Sequence, residues 1–181
     1  LLIFAREHKP ERRMISVNEA LRSALALQNY QLRVDNIALK LELDPYLPLT
    51  TADYHQLQQV FLNLITNARH AMVQKGGRGT LTLRTSYAPG LNGNQQINIE
   101  VIDTGVGIPE RDLQKIFNPF FTTKPVGQGT GLGLSICFGI IKEHEGQIWA
   151  ESQIGIGTRV VVTLPVRTEP QEVPVPEADR Q

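Results

Sequence analysis

The chain has 181 residues, 41% of them hydrophobic, and its 18 basic and 18 acidic side chains cancel. That length and apolar content suffice for one buried core, and the balanced charge excludes the basic field that nucleic acid or an anionic membrane would call for. A single cysteine, Cys137, excludes an internal disulfide, no Cys/His cluster has zinc spacing, and no apolar run approaches the ~20 residues of a membrane span.

Leu1–Arg6 reads as the end of a helix whose start is absent, and a chain beginning at Leu1 reads as a piece of a longer protein. Glu7–Arg13 is a charged connector holding Pro10. Ser16–Tyr30 is predicted helical, capped by Ser16 with Glu19 as its capping-box partner. Ala20, Leu21, Ala24, Leu25 and Leu27 form its apolar stripe. Ile37–Leu43 alternates and predicts a half-buried strand, followed by a turn at Pro45 and Pro48. The best helix is Asp53–Gln74, with Leu57, Val60, Phe61, Leu64, Ala68, Ala71 and Met72 on one face. Gly76 and Gly77 stop it, and Lys75 suits its negative end.

Strands are predicted at Thr80–Tyr87 and Gln96–Asp103, with a hairpin connection between them. Pro109–Lys115 is a short helix. Phe117–Thr130 lacks periodicity and predicts a long mobile loop, and such loops in compact domains are usually functional. Gly131–His144 is helical and ends at Gly146, and Gln147–Ser152 with Gly157–Leu164 is a closing hairpin. Val166–Gln181, rich in Pro and Glu, is expected to be disordered. Cys137 reads as core filling, and His8, His55 and His144 as surface or helix-end residues.

Four patterns carry chemistry. Asn63, Asn67 and His70 share one helical stripe opposite the apolar face. An Asn carbonyl oxygen suits a Mg²⁺ ion that keeps most of its waters and takes phosphate oxygens. Asp103 ends a strand and can accept a hydrogen bond from an exocyclic amine such as adenine N6. Gly105 and Gly107 let a flat ring approach the backbone, and Ile108 can cover it. Phe117, Phe120 and Phe121 could root the loop, with Thr122, Thr123 and Lys124 fit for phosphate contact. Gly129, Gly131 and Gly133 open a helix whose exposed amides make an anion site. Each pattern alone has a plain structural reading: a polar helix face, a turn, a small anchor, a hinge. Gly155, Gly157 and Thr158 read equally as a hairpin turn or as a group reaching the base through water.

In this order and spacing the four patterns resemble the catalytic, ATP-binding domain of sensor histidine kinases, within the gyrase/histidine kinase/MutL-type ATPase superfamily. The resemblance covers about Ser16–Pro165. Asn63–Ala68 is similar to the N box, Asp103–Pro109 to the first glycine box, Phe117–Lys124 to the F box and Gly129–Ser135 to the second glycine box. The wording of Gln59–Leu64 and Phe120–Lys124 looks most like the nitrogen-regulation subgroup.

The resemblance implies an α+β fold, a two-layer sandwich with a mixed, mostly antiparallel sheet backed by three helices. It implies the end of a dimerisation helix and a connector over 1–15, a catalytic ATP-binding domain over 16–165 and a disordered tail or linker over 166–181. It implies ATP and Mg²⁺ as cofactors, with Asn67 on the metal and Asn63 beside the phosphates. Asp103 would read adenine, with Gly105, Gly107 and Ile108 lining it and Thr158 in support. Lys124, Gly129, Gly131 and Gly133 would hold the phosphate tail, while His70, Ala71, Thr122, Thr123, Thr130 and Leu132 would lie against the nucleotide. Asn63 and Lys124 are the implied catalytic residues. The superfamily's hydrolases carry Glu, a general base, at the position of Asn63. An amide cannot take a proton from water, whereas a neutral imidazole is already nucleophilic. Phosphoryl transfer to histidine is therefore expected, with a pseudokinase or interaction module as the alternative.

The implied partners are a helical dimerisation segment bearing the phosphoacceptor and a response regulator receiver domain, in a homodimeric, cytoplasmic or membrane-anchored parent. His8 lacks the acceptor's sequence context, and His70 stands where the family often has Lys.

Overall fold

The computed structural model describes residues 11–89, 94–122 and 130–168. In chain order the elements are β1 (Arg12–Ile15), α1 (Val17–Val34), β2 (Ile37–Leu43), β3 (Thr50–Asp53), α2 (Tyr54–Gln74), β4 (Gly79–Pro89) and β5 (Gln95–Asp103). Then follow α3 (Glu110–Leu113), α4 (Gly133–Glu143), β6 (Gln147–Gln153) and β7 (Gly157–Pro165). Five strands form one sheet in the order β2-β4-β5-β7-β6. β2 runs parallel to β4, and the other pairs are antiparallel. This is the expected mixed, mostly antiparallel α+β sandwich.

The core lies between the sheet and helices α1, α2 and α4. Leu81 and Leu83 of β4, Ile97 and Ile99 of β5, and Val162 and Leu164 of β7 meet Leu21, Phe61, Leu64 and Ile141 in one buried cluster. Their alternation along each strand puts every second side chain on that face. Phe61 is wholly buried, so its truncation to Ala costs about 3–5 kcal/mol.

α1 starts as the capping box dictates: the Ser16 hydroxyl accepts from the Glu19 N–H at 3.3 Å. It runs to Val34, four residues past the predicted end, because Leu32 is also buried. Leu27, assigned to the apolar stripe, faces solvent instead. β2 is an edge strand, so Ile37 is buried while Leu39 and Leu41 are exposed.

The sequence reading missed β1 and β3. They pair antiparallel, Arg12 opposite Asp53 and Ile15 opposite Thr50. Each has four residues, too few to show a period. The expected disorder after Pro165 does not begin there: the Thr51 N–H donates to Arg167 O at 2.9 Å and the Val166 N–H to Gln95 O at 3.0 Å. His144, read as a surface or helix-end residue, caps α4 but is buried. Its Nε2 accepts from the Asp53 N–H at 3.0 Å, and its Nδ1 lies 2.8 Å from Ile140 O. Burial holds its pKa below the ordinary 6.5. The expected helix at Leu1–Arg6, His8, and the centre of the β4–β5 connection lie outside the described residues.

Candidate functional site

α2 crosses the sheet with Asp53 as its N-cap, the carboxylate accepting from the N–H groups of His55 and Gln56. Its apolar stripe faces the core, which leaves Asn63, Asn67 and His70 half-buried on the opposite flank. The Asn63 Nδ2 donates to Gly133 O at 3.3 Å, joining α2 to the first residue of α4. Among the described residues Asn67, one turn on, keeps its amide without a protein partner.

β5 delivers Asp103 to the end of the sheet, next to Thr158 of β7. Asp103 is buried. Its Oδ1 accepts from the Gly105 N–H at 2.7 Å and the Thr158 N–H at 3.3 Å. Both bonds fall on one oxygen, so Oδ2 is left to accept from a ligand. Burial pushes the Asp103 carboxyl up to about 6, against the two N–H groups and the Lys75 cation, which pull it down. A carboxylate in this state accepts a hydrogen bond from a neutral amine and is costly to leave unsatisfied.

The turn after Asp103 is knotted to two other segments. The Val106 N–H donates to Ala71 O at 3.2 Å, and the Gly155 N–H to Val106 O at 2.8 Å. The Ile108 N–H donates to the Ser152 hydroxyl at 2.8 Å, which lies 2.8 Å from the Thr158 hydroxyl and donates to Gly157 O. No room remains for side chains here. A Cβ on Gly107 would lie 2.2 Å from Gln153 O, and one on Gly157 would lie 1.9 Å from Asp103 O. Both have positive φ, +77° and +148°. Asp103, Gly105, Gly107, Ile108, Ala71 and Thr158 thus come together as expected. Ser152 and Lys75 belong to the same knot, and the sequence reading gave neither a part in it.

The phosphate end is built differently. α4 starts at Gly133 with Leu132 as N-cap, and no side chain satisfies its first N–H groups. An uncapped helix N-terminus is an anion site. The Phe120 N–H donates to Gly131 O at 2.9 Å, tying the phenylalanine turn to the glycine run. Phe117 anchors that turn against Phe138, ring centroids 6.0 Å apart. Phe120, expected to help root the loop, is exposed with φ +66°. Thr122 and Thr130 are exposed. Thr123, Lys124 and Gly129 lie outside the described residues. Cys137 is fully buried, its thiol pushed up to about 12 by burial, as core filling requires.

A buried carboxylate with one oxygen left to accept and an uncapped helix start are the two kinds of contact that the base and the phosphates of a nucleotide need. A model of the histidine kinase-, DNA gyrase B- and HSP90-like ATPase family matches residues 52–168. The chain belongs to that family. It is 39% identical over 175 residues to the sensor kinase CckA of Brucella abortus, spanning 91% of this chain and 18% of that protein. It is 37% identical over 166 residues to the sensor protein FixL of Bradyrhizobium diazoefficiens, spanning 92% of this chain and 32% of that one. The chain therefore spans less than a third of the length of these two relatives.

The nucleotide-free catalytic domain of histidine kinase ThkA superposes with a TM-score of 0.73 at 33% identity, covering 87% of this chain and 97% of that one. ThkA in complex with the response regulator TrrA superposes with a TM-score of 0.70 at 30% identity, covering 87% of this chain and 42% of that one. The protein is an ATP-binding catalytic domain of the sensor histidine kinase kind. No described helix is long and apolar enough to cross a membrane.

Proposed function

We propose that this domain transfers the γ-phosphoryl group of ATP to a histidine on a helical dimerisation segment, for onward transfer to a response regulator receiver domain. The observation that carries the reading is the bond from Asn63 to Gly133 O. It puts an amide, not a carboxylate, where α2 meets the α4 N-terminus. A general base is needed to activate water and is not needed by a neutral imidazole.

In this reading the Asp103 Oδ2 accepts from adenine N6, Ile108 covers the ring, and the Thr158 hydroxyl supports the base beside Ser152. The α4 N-terminus, Lys124, Gly129, Gly131 and Gly133 bind the phosphate tail, with Thr122, Thr123, Thr130 and Leu132 against the nucleotide. His70 lies on the same flank. The imidazole nitrogen forms the new N–P bond, the bond to the ADP oxygen breaks, and ADP leaves. Catalysis is then mainly positioning and charge stabilisation.

Asn67 would hold Mg²⁺. The donor set fits an ion that enters with the nucleotide: one neutral amide oxygen, and no cluster of three or more His, Cys, Asp or Glu side chains among the described residues. Such an ion neutralises charge on the phosphates.

The end of a dimerisation helix and a connector over 1–15, of which β1 already pairs with the domain, a catalytic domain over 16–165, a tail or linker over 166–181 whose first residues Val166 and Arg167 bond to it, the nitrogen-regulation-like subgroup, a homodimeric parent and a cytoplasmic setting complete the proposal. The test is to incubate the chain with labelled ATP. Phosphate release far below ordinary enzyme rates is expected, and steady turnover at the usual 1–10³ per second would overturn the assignment of Asn63.

A further inference from the structure

Lys75 closes α2. A lysine at a helix C-terminus ordinarily interacts with the last carbonyls of its own helix. Here it reaches beyond the helix. Its ammonium donates to Thr104 O at 2.9 Å and to Gly155 O at 2.8 Å, carbonyls 29 and 80 positions further along the chain. Thr104 follows Asp103 directly, and Gly155 lies in the turn three residues before Thr158. The same two turns are joined by the bond from the Gly155 N–H to Val106 O.

We propose that Lys75 is a positioning residue of the adenine site, pinning the turn after Asp103 to the turn before Thr158 so that both base-reading groups keep one geometry. The inference rests on the reading of Asp103 as the adenine acceptor. A second observation supports it. Among the described residues the Lys75 cation is the charge that bears on the Asp103 carboxyl, alongside the backbone N–H groups of Gly105 and Thr158. It favours the ionised form, which accepts from adenine N6 most strongly.

The experiment titrates the chain, its Lys75→Met and Lys75→Arg variants and Asp103→Ala with a non-hydrolysable ATP analogue and Mg²⁺ from pH 5 to 8. Thermal melting of each checks the fold, which the exposed position of Lys75 should preserve. Removing the cation raises the Asp103 pKa, so the carboxylate is neutralised at higher pH. Lys75→Met is expected to bind about tenfold more weakly at pH 7, as loss of a charge-assisted bond implies, and to lose affinity on acidification at a higher pH than the unaltered chain. Lys75→Arg, with its own cation and paired donors, should restore most of both. Unaltered affinity and an unaltered acid limb in Lys75→Met would overturn the inference. So would equal weakening in both variants with the limb unmoved, since that marks a steric role alone. Retained binding by Asp103→Ala would overturn the reading of Asp103 itself, a result distinct from either.

Discussion

The two ends of the candidate site are built on opposite plans. At the adenine end, three chain segments meet in a knot of backbone bonds around a buried carboxylate, and three glycines, Gly105, Gly107 and Gly157, have no space for a Cβ. At the phosphate end, contact rests on an uncapped helix start, one amide bond from Asn63 and one turn in which Gly131 packs against Phe120, so that of its two described glycines only Gly133 has room for a Cβ. The first end is complete before any ligand arrives. The second offers helix N–H donors that no described side chain satisfies. Base recognition is thus prepaid in folding, while the reacting end stays open to the nucleotide tail and to an acceptor side chain.

The sharpest way to break this contrast is to place the same methyl group at both ends. Gly157→Ala drives a Cβ to 1.9 Å from Asp103 O, and should cost about 3 kcal/mol or more of stability and abolish nucleotide binding, read by melting and titration. Gly133→Ala meets nothing closer than Asn63 Cγ at 3.9 Å, and should melt within about 0.5 kcal/mol of the unaltered chain. Equal damage at both positions would erase the distinction.

Asp103 sharpens it from the side of pH. Its pKa is raised from 3.8 to about 6 by burial, so the folded state binds the proton more tightly than the unfolded one. The resulting penalty is absent below about pH 4 and complete above about pH 6. Asp103→Asn, whose side-chain oxygen can still accept from Gly105 and Thr158, should stabilise the nucleotide-free chain at pH 7 by about 1–3 kcal/mol while weakening adenine binding at least tenfold. Denaturant melts and titration check the two halves. Asn67→Ala acts at the other end: affinity without Mg²⁺ should hold, and the enhancement by Mg²⁺ should fall about tenfold.

The smallest effect concerns the frame. His144 has a lowered pKa through burial, so its contribution is intact above pH 6.5 and is lost as pH falls from there through its lower folded value, where charged Nε2 can no longer accept from the Asp53 N–H. Melts at pH 7.5 and 5.5 should differ less in His144→Gln than in the unaltered chain.

Much of this was legible in the sequence because the signals were long or chemically marked. The 21-residue α2 shows its period over nearly six turns, and Asp103, Gly105 and Gly107 stand where a ring needs an acceptor and room. The missed pieces are short or depend on tertiary partners. β1 and β3 are four residues each. Leu27 fits a helical stripe on paper, yet only the sector around Leu21, Leu25 and Leu32 is buried, chiefly against α2. Nothing local marks Ser152 or Lys75 as part of the site, since their partners lie 5 to 80 positions away. His144 looked like a helix end and is one, but the N-terminus of α2 packs over it.

The most direct test of the account is calorimetric titration with a non-hydrolysable ATP analogue and its guanine counterpart, each with and without Mg²⁺. The account predicts saturable adenine binding that Mg²⁺ strengthens, with the guanine analogue at least tenfold weaker because its exocyclic oxygen faces the Asp103 carboxylate. Equal affinity for the two bases, or no binding of either, would contradict it.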